Sequence, residues 1–504
     1  MALYNVLGGL FMKKLITGSE MKIIDEYTIS TLKIPSLVLM ERAAMSVCKY
    51  IDDDNGRYLA VCGLGNNGAD AMAVARILNA KGIRVDVLLC EENVDKGSEG
   101  FKYQLQQVKL FDVNIYNKVE FEKYDYIIDG IFGIGLTRDV TGKYKEVIDS
   151  INLSNCKVIA VDCPSGMDCN TGKILGTAIK ADITVTFGAM KKGLLLYPGA
   201  EKSGRIYVED IGFPNKAFED MLEVNNYMTD EQDVYLLPKR CAYSNKGSYG
   251  KAVIIAGSKN MCGAAIMAAK ACIAMGVGLV KVITCEENRV IIQSQVPEAI
   301  LSTYTDDISH VELEINWGDV VLIGPGLSTG GIAAELVEMA INSDKKLVLD
   351  ADAINILSEN KGLLDNLKGK QAVITPHLGE MSRLIKANIE DICNSITECC
   401  QEFALAHKII CVLKDARTVI SNGENYVVNS TGNNGMAKGG SGDVLAGMIA
   451  GILVNKKDVY ESAILGVYLH GLAGDKAATK KGKYSMSPID IIDNIGEVIN
   501  QVED

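Results

Sequence analysis

Val61-Cys62-Gly63-Leu64-Gly65-Asn66-Asn67-Gly68-Ala69-Asp70-Ala71-Met72-Ala73-Val74-Ala75 passes from an apolar, β-branched run into a helical pattern through three glycines. Tyr58–Cys62 before it reads as a strand. Across Asp70–Ala80, Ala71, Val74, Ala75 and Leu78 recur at helical spacing. Gly63, Gly65 and Gly68 spell G-x-G-x-x-G between the two, the pattern of a loop that carries a dinucleotide. Asn66, Asn67 and Asp70 break that reading. A redox dinucleotide loop offers bare backbone N–H groups to pyrophosphate, and a carboxylate there repels it, although it also suits a helix start. Two readings follow. Either Asp70 caps the helix and the asparagines take left-handed turn positions, or the loop is a polar pocket for a cation or a sugar hydroxyl.

The same alternation extends along the chain. Strand-like runs recur at Val85–Cys90, Tyr126–Asp129, Val158–Asp162 and Ile183–Phe187, after a long helical start over Thr17–Tyr50. They recur again at Ala252–Ala256, Leu279–Thr284, Val320–Gly324, Lys346–Asp350, Ala372–Thr375 and Ile409–Leu413. Strands alternating with helices predict an α/β protein with parallel sheets covered by helices on both faces. At roughly 100–200 residues per domain, 504 residues make at least two domains. The expected division is residues 1–214, an acidic linker over 215–234 and residues 235–504. Residues 1–11 read as a dispensable extension ahead of Met12-Lys13-Lys14, because their apolar run precedes the charges instead of following them.

Composition narrows the function. The chain is 48% hydrophobic with only 9 prolines, which excludes a disordered protein. A formal charge of −13 argues against a nucleic-acid binder, since phosphate affinity rests on basic patches. No run approaches the roughly 18 apolar residues of a membrane span, and the expected setting is cytoplasmic. The 14 cysteines, Cys62, Cys163 and Cys411 among them, lack any C-x-x-C and read as buried thiols. Four histidines leave little for a zinc centre.

Two further strand ends favour a pocket over a plain turn. Ile127-Ile128-Asp129-Gly130-Ile131-Phe132-Gly133-Ile134-Gly135 and Val161-Asp162-Cys163-Pro164-Ser165-Gly166-Met167-Asp168 each deliver oxygen ligands, which suit a hard cation. Together with Asn66–Asp70, with Leu15-Ile16-Thr17-Gly18-Ser19-Glu20-Met21 and with Leu37–Ala44, these motifs resemble the epimerase domain of NAD(P)H-hydrate repair proteins. The resemblance implies a Rossmann-like three-layer domain that interconverts R and S NAD(P)HX, the C6-hydrated nicotinamide, and a potassium ion held by Asn67, Asp129 and Ser165. It also places the hydrate along Asn66, Asn67, Gly68, Ala69 and Asp70 and along Gly133, Ile134, Gly135, Leu136, Thr137, Arg138 and Asp139, with Asp162 as acid/base. Ala69 and Ala71 stand where the family carries glycine, two methyls expected to crowd a loop that approaches its ligand.

The second half has its own glycine loop, Gly432-Asn433-Asn434-Gly435-Met436-Ala437-Lys438-Gly439-Gly440-Ser441-Gly442-Asp443, leading into an apolar helix. Free N–H groups at a helix start make an anion hole. Asp443 at its mouth can take a proton while those groups stabilise a moving phosphoryl group; the alternative is a glycine turn with Asp443 as a plain cap. The G-x-G-D pattern resembles the ribokinase-like superfamily. With residues 255–265, 323–327, 348–355, 374–380 and 412–418, the half resembles the nucleotide-dependent NAD(P)HX dehydratase. That resemblance implies that Ala264, Gly326, His377 and Asp443 contact the hydrate. Lys414, Asp415, Ala416, Arg417, Thr418 and Gly442 would hold ADP or ATP, with Mg²⁺ organised by Glu380. Asp350 and Asp352 read equally as site carboxylates or as loop supports. Lys438, where threonine is common, adds charge beside the anion hole. The implied whole is a bifunctional enzyme, expected as a homo-oligomer, whose partners are NADHX or NADPHX and a nucleotide. A vitamin or sugar kinase fused to a ligand-binding domain is the enzyme rival, and a scaffold module the non-enzyme one.

Overall fold

A computed structural model describes residues 4–7, 10–222, 226–456 and 458–500. The chain divides into two compact units, one over Lys13–Asn225 and the other over Asn226–Asp504 with Asn5–Met12.

In the first unit seven strands form one sheet, all pairs parallel. Its order across the sheet is Arg205–Glu209, Ile183–Phe187, Lys157–Val161, Tyr126–Gly130, Arg57–Cys62, Arg84–Leu89 and Ile115–Tyr116. The strand interiors are buried, as unbroken β-branched runs covered on both faces must be. Strand order reverses between Arg57–Cys62 and Tyr126–Gly130, and a crevice opens there beyond the carboxyl ends. The loop Gly63–Gly65 leads from this point into the helix Asn66–Ala80.

The helical start is two helices, Gly18–Ser30 and Ser36–Cys48, not one. The chain breaks at Lys33, in a left-handed conformation (φ 61°), and Pro35 begins the second helix. Residues expected as linker are structured in part: Asn215–Met221 is helical and Asn226–Met228 is a strand, while 223–225 lie outside the described residues. Strands Tyr4–Leu7 and Leu10–Ile16 occupy the segment read as an extension, of which 1–3 and 8–9 lie outside the described residues. Twelve cysteines are free thiols, but Cys163 is not among them. The loop between strands turns tightly enough to bring it to Cys169, and the two are bonded.

In the second unit the sheet runs from Asn226–Met228 through Tyr426–Val428, Val419–Ser421, Ile410–Leu413, Ala372–Ile374, Lys346–Leu349 and Val320–Ile323. It continues to Lys251–Ile255, Leu279–Cys285 and Ile300–Tyr304. It is parallel except where the short strands Val419–Ser421 and Tyr426–Val428 form antiparallel pairs. Its order reverses between Lys251–Ile255 and Val320–Ile323, which fixes a second crevice. The helix Ser441–Asn455, buried along most of its length, packs on Cys262–Ala274. A Cβ at Gly447 would overlap the Ala268 carbonyl, so the two backbones meet there directly.

Gly447→Ala therefore forces the two helices apart. Its overpacking cost of about 1–3 kcal/mol outweighs the roughly 1 kcal/mol that alanine gains in a helix interior. Thermal melting of the full chain should register a lower midpoint; an unchanged or raised midpoint would contradict the contact.

Candidate active sites

At the first crevice, Asp129 ends the strand Tyr126–Gly130 and is fully buried. Ser165 donates to it twice, from Oγ to Oδ1 at 2.5 Å and from N to Oδ2 at 2.8 Å, and Ile131 N adds a third bond at 3.2 Å. Burial pushes its carboxyl up to about 6 against the pull of those bonds. Asn67 donates its Nδ2 to the Phe132 carbonyl at 2.9 Å, so its carbonyl oxygen faces the Gly133 turn. Asn67, Asp129 and Ser165 are thus brought together as expected. They are oxygen-rich, and among the described residues no ammonium or guanidinium pairs with Asp129. That donor set fits a hard monovalent cation.

The remaining expected residues divide. Asn66 is exposed at the start of its helix, and Asp70 is partly exposed one turn further on. Gly68 and Ala69 are buried. The Ala69 and Ala71 methyls lie in the helix–sheet core, where Ala71 fills the space that a side chain at Gly130 would need. They do not crowd the crevice. The helix cap is Gly65 and not Asp70, which sits too far along the helix to bond its free N–H groups. Thr137, Arg138 and Asp139 are exposed in the loop after Asp129, with Gly133, Ile134, Gly135 and Leu136 nearer its base.

Asp162 follows the strand Lys157–Val161 with a left-handed backbone (φ 66°). Its carboxylate takes a bond from Lys191 Nζ at 2.8 Å. The sequence reading missed Lys191, although a lysine inside the apolar run Phe187–Leu196 is a visible signal.

At the second crevice, Ser258 N donates to the Gly326 carbonyl at 2.6 Å, and Gly326 packs against Ala264. The helix start Gly440–Asp443 lies beside Lys414 and Asp350: a Cβ at Gly442 would stand 3.4 Å from Lys414 Nζ and 3.8 Å from Asp350 Oδ2. Lys414 donates to Asp350 Oδ1 at 2.7 Å, and Thr375 Oγ1 donates to the same oxygen at 2.6 Å. Burial alone would push the ammonium down; Asp350, Glu380 and Asp443 outweigh it and raise it. Asp443 is pushed up to about 7 by burial and by Asp350, with Lys414 opposing. Glu380 also rises to about 7, chiefly through burial. Asp443 makes no capping bond, because the cap position is Gly440, left-handed at φ 102°. Three carboxyls thus act on one ammonium.

The expected residues of this half also take local partners. Lys414 is committed to Asp350, Arg417 donates to the Ser430 carbonyl at 3.0 Å, and Asp415 and Ala416 are exposed beside them; Asn429 N holds the Thr418 carbonyl at 2.9 Å. Lys438 turns away from the anion hole, because the Tyr484 and Met486 carbonyls accept its ammonium. Asp352 supports a loop by accepting from Ser328 N at 2.7 Å, whereas Asp350 belongs to the site. His377 caps its helix, with Nδ1 accepting from Gly379 N and Glu380 N, and leaves Nε2 toward Glu380 at 3.4 Å. Burial lowers its pKa. His470, which sequence reasoning passed over, is buried behind Ser441 and held neutral, its pKa pushed down to about 4 by burial.

Comparisons agree with two separate halves. A family described as NAD(P)H-hydrate dehydratase matches residues 252–497, and one described as YjeF-related protein N-terminus matches residues 36–193. The bifunctional NAD(P)H-hydrate repair enzyme of Moorella thermoacetica is 35% identical over 97% of both chains. A ribokinase-like superfamily protein of Enterococcus faecalis is 30% identical, with a TM-score of 0.50 over 55% of this chain and 95% of its own. An ADP/ATP-dependent NAD(P)H-hydrate dehydratase of Bacillus subtilis, co-crystallised with ATP and Mg²⁺, is 27% identical over 54% of this chain and 97% of its own, with a TM-score of 0.48.

The raised Asp443 carboxyl fixes the sign of a stability effect. The native state keeps a proton that the unfolded chain has lost, so this group lowers stability progressively from about pH 4 to about pH 7 and by a constant amount above. Asp443→Asn should melt like wild type near pH 4 and be stabilised by on the order of 1–3 kcal/mol above pH 7. Melting curves across that range test it; a gain independent of pH would contradict it.

Proposed function

The chain belongs to the bifunctional NAD(P)H-hydrate repair enzymes, and we propose how its residues divide the two reactions of that family. The activities are epimerisation of NAD(P)HX and its ADP/ATP-dependent dehydration. The first crevice is assigned the epimerisation. The hydrate lies along Asn66–Asp70 and Gly133–Asp139 and presents C6 to Asp162. Asn67, Asp129 and Ser165 would hold a potassium ion there, whose positive charge would orient the oxygens of the bound hydrate.

The second crevice is assigned the dehydration. Asp443 beside the Gly440–Gly442 turn, with Lys414 and Asp350 behind it, is the observation that carries this reading. Hydroxide is a poor leaving group, and phosphorylation of the C6 hydroxyl by ADP or ATP converts it to a good one. Asp443 accepts the hydroxyl proton as the oxygen attacks the terminal phosphorus, and the N–H groups of the helix start stabilise the transferring oxygens. Departure of phosphate from C6 with loss of a C5 proton then restores the dihydronicotinamide. Ala264, Gly326 and His377 line the hydrate, while Gly442 and the Lys414–Thr418 turn face the nucleotide. Glu380 would organise the Mg²⁺ that accompanies the nucleotide, and the ion would offset the charge of the phosphates. We place the enzyme in the cytoplasm as a homo-oligomer.

Asp443→Asn removes the base and keeps the shape, so dehydration of the S epimer should fall about 10²–10⁴-fold. Because Asp443 is pushed up to about 7, wild-type kcat/KM for that step should rise with pH and level off above it. Asp129→Ala should slow R-to-S conversion and leave S dehydration near wild type, since sites in separate units act independently. Recovery of dihydronicotinamide absorbance from separated epimers measures both. Joint loss of the two activities in either variant would contradict the division.

A further inference from the structure

Lys191 is fully buried, and its three N–H donors have three acceptors: Asp162 Oδ1 at 2.8 Å, Thr186 Oγ1 at 2.8 Å and the Phe187 carbonyl at 2.6 Å. Asp162 is the only carboxylate it meets at ion-pair distance among the described residues. Thr186 Oγ1 donates to the same Asp162 oxygen at 2.9 Å. One carboxylate oxygen, Oδ1, is therefore anchored from inside the fold, and no described donor meets Oδ2. The left-handed backbone of Asp162, at φ 66°, turns the residue off its strand to make this arrangement.

Asp70 is its opposite. It sits on the helix Asn66–Ala80, partly open to solvent, and its side chain has no hydrogen bond or ion pair among the described residues. The charges it feels are those of Asp162 and Asp25, both negative, and burial with this repulsion raises its carboxyl well above the usual range. Asp25, on the helix Gly18–Ser30, is raised too, by burial and then by Asp162 and Glu26, with Lys191 opposing. One ammonium thus serves a group of carboxyls and is spent structurally on one of them. A second carboxyl nearby, Asp70, has no cation partner among the described residues.

We propose that Asp70 is the proton donor of the epimerisation, Asp162 Oδ2 the acceptor, and Lys191 the residue that positions Asp162. The proposal rests on the reading of the first unit as the epimerase. C6 of the hydrate carries a hydroxyl and is bonded to the ring nitrogen N1. Asp70 gives its proton to that hydroxyl; the C6–O bond breaks, its electron pair leaves with water, and the N1 lone pair forms an N1=C6 double bond. Water then adds to the opposite face. Its oxygen bonds C6, its proton passes to Asp162, and the N1=C6 pair returns to nitrogen. One water leaves and one enters, and nothing is oxidised or reduced. Return of the proton from Asp162 to Asp70 through solvent restores the starting state.

Dehydration of the S epimer by the same full-length preparation reports only the second unit, so circular dichroism and thermal melting of each variant serve as the control that the first unit is folded. Interconversion of purified R and S NADHX, without nucleotide, is followed for wild type, Asp70→Asn, Asp70→Glu, Asp162→Asn, Lys191→Met and the double variant Asp162→Asn/Lys191→Met. Asp70→Asn should lower kcat by about 10²-fold or more with KM within a few-fold, and Asp70→Glu should recover part of the rate. Lys191→Met leaves Asp162 unpaired in the interior, so the double variant, which removes both charges, is the cleaner arm. It should be no slower than Asp162→Asn alone if Lys191 acts through Asp162. Asp70→Asn epimerising within a few-fold of wild type would remove Asp70 from the mechanism. Multiplying losses in the double variant would overturn the positioning role of Lys191. A wild-type chain that dehydrates the S epimer yet never interconverts the two would overturn the epimerase reading and this proposal together, which separates that failure from the others.

Discussion

A parallel sheet whose strand order reverses sends neighbouring connections to opposite faces, and nothing can cover the carboxyl ends at that point. Both units of this chain obey the constraint, and each places its polar side chains there. In the first, Asp129 lies near the end of one strand at the reversal, Asn67 in the first turn of the helix that follows the other, and Asp162 and Ser165 after the next strand along. In the second, Ala264 and Gly326 flank the reversal itself, and Asp350, His377 and Lys414 follow successive strands beside it. Catalytic geometry is therefore a property of strand order before it is a property of any residue.

Within each crevice the electrostatics follow one pattern. A lysine withdrawn from water is matched to one aspartate, Lys191 to Asp162 and Lys414 to Asp350. A lone buried ammonium would be costly, and the pairing removes that cost. The other carboxyls, Asp70 in one unit and Glu380 and Asp443 in the other, are left with burial and like charge, and their pKa values rise. Neighbouring carboxyls with separated proton affinities are what acid–base chemistry near neutral pH requires.

Strands and their termini were legible because β-branched runs end in Gly, Asp or Asn, so the α/β class and the gathering of oxygen ligands at three strand ends could be read directly, while the choice of Asn67, Asp129 and Ser165 among them came from the family resemblance. The break at Lys33 was hidden, since helical periodicity on either side of Pro35 looks continuous in one dimension. Charge partners were hidden for a deeper reason. Lys438 reads as a free cation beside a phosphate site, yet carbonyls 46 and 48 residues away take it up. Lys191 and Asp162 are 29 residues apart and meet only once the sheet has formed. Sequence displays the residue that carries a charge, while folding decides which charge it answers.

The direct contact between Gly447 and the Ala268 carbonyl bears on how the phosphate-facing turn is machined. Five residues separate Gly447 from Gly442, about 7.5 Å of helix at 1.5 Å per residue. A helix resting backbone to backbone on its neighbour has no side chain to compress at that bearing, so it cannot creep along its axis by fractions of a turn. The first turn inherits that fixed datum, and the width of the anion hole is gauged from the core outward instead of being adjusted by the loop that borders it.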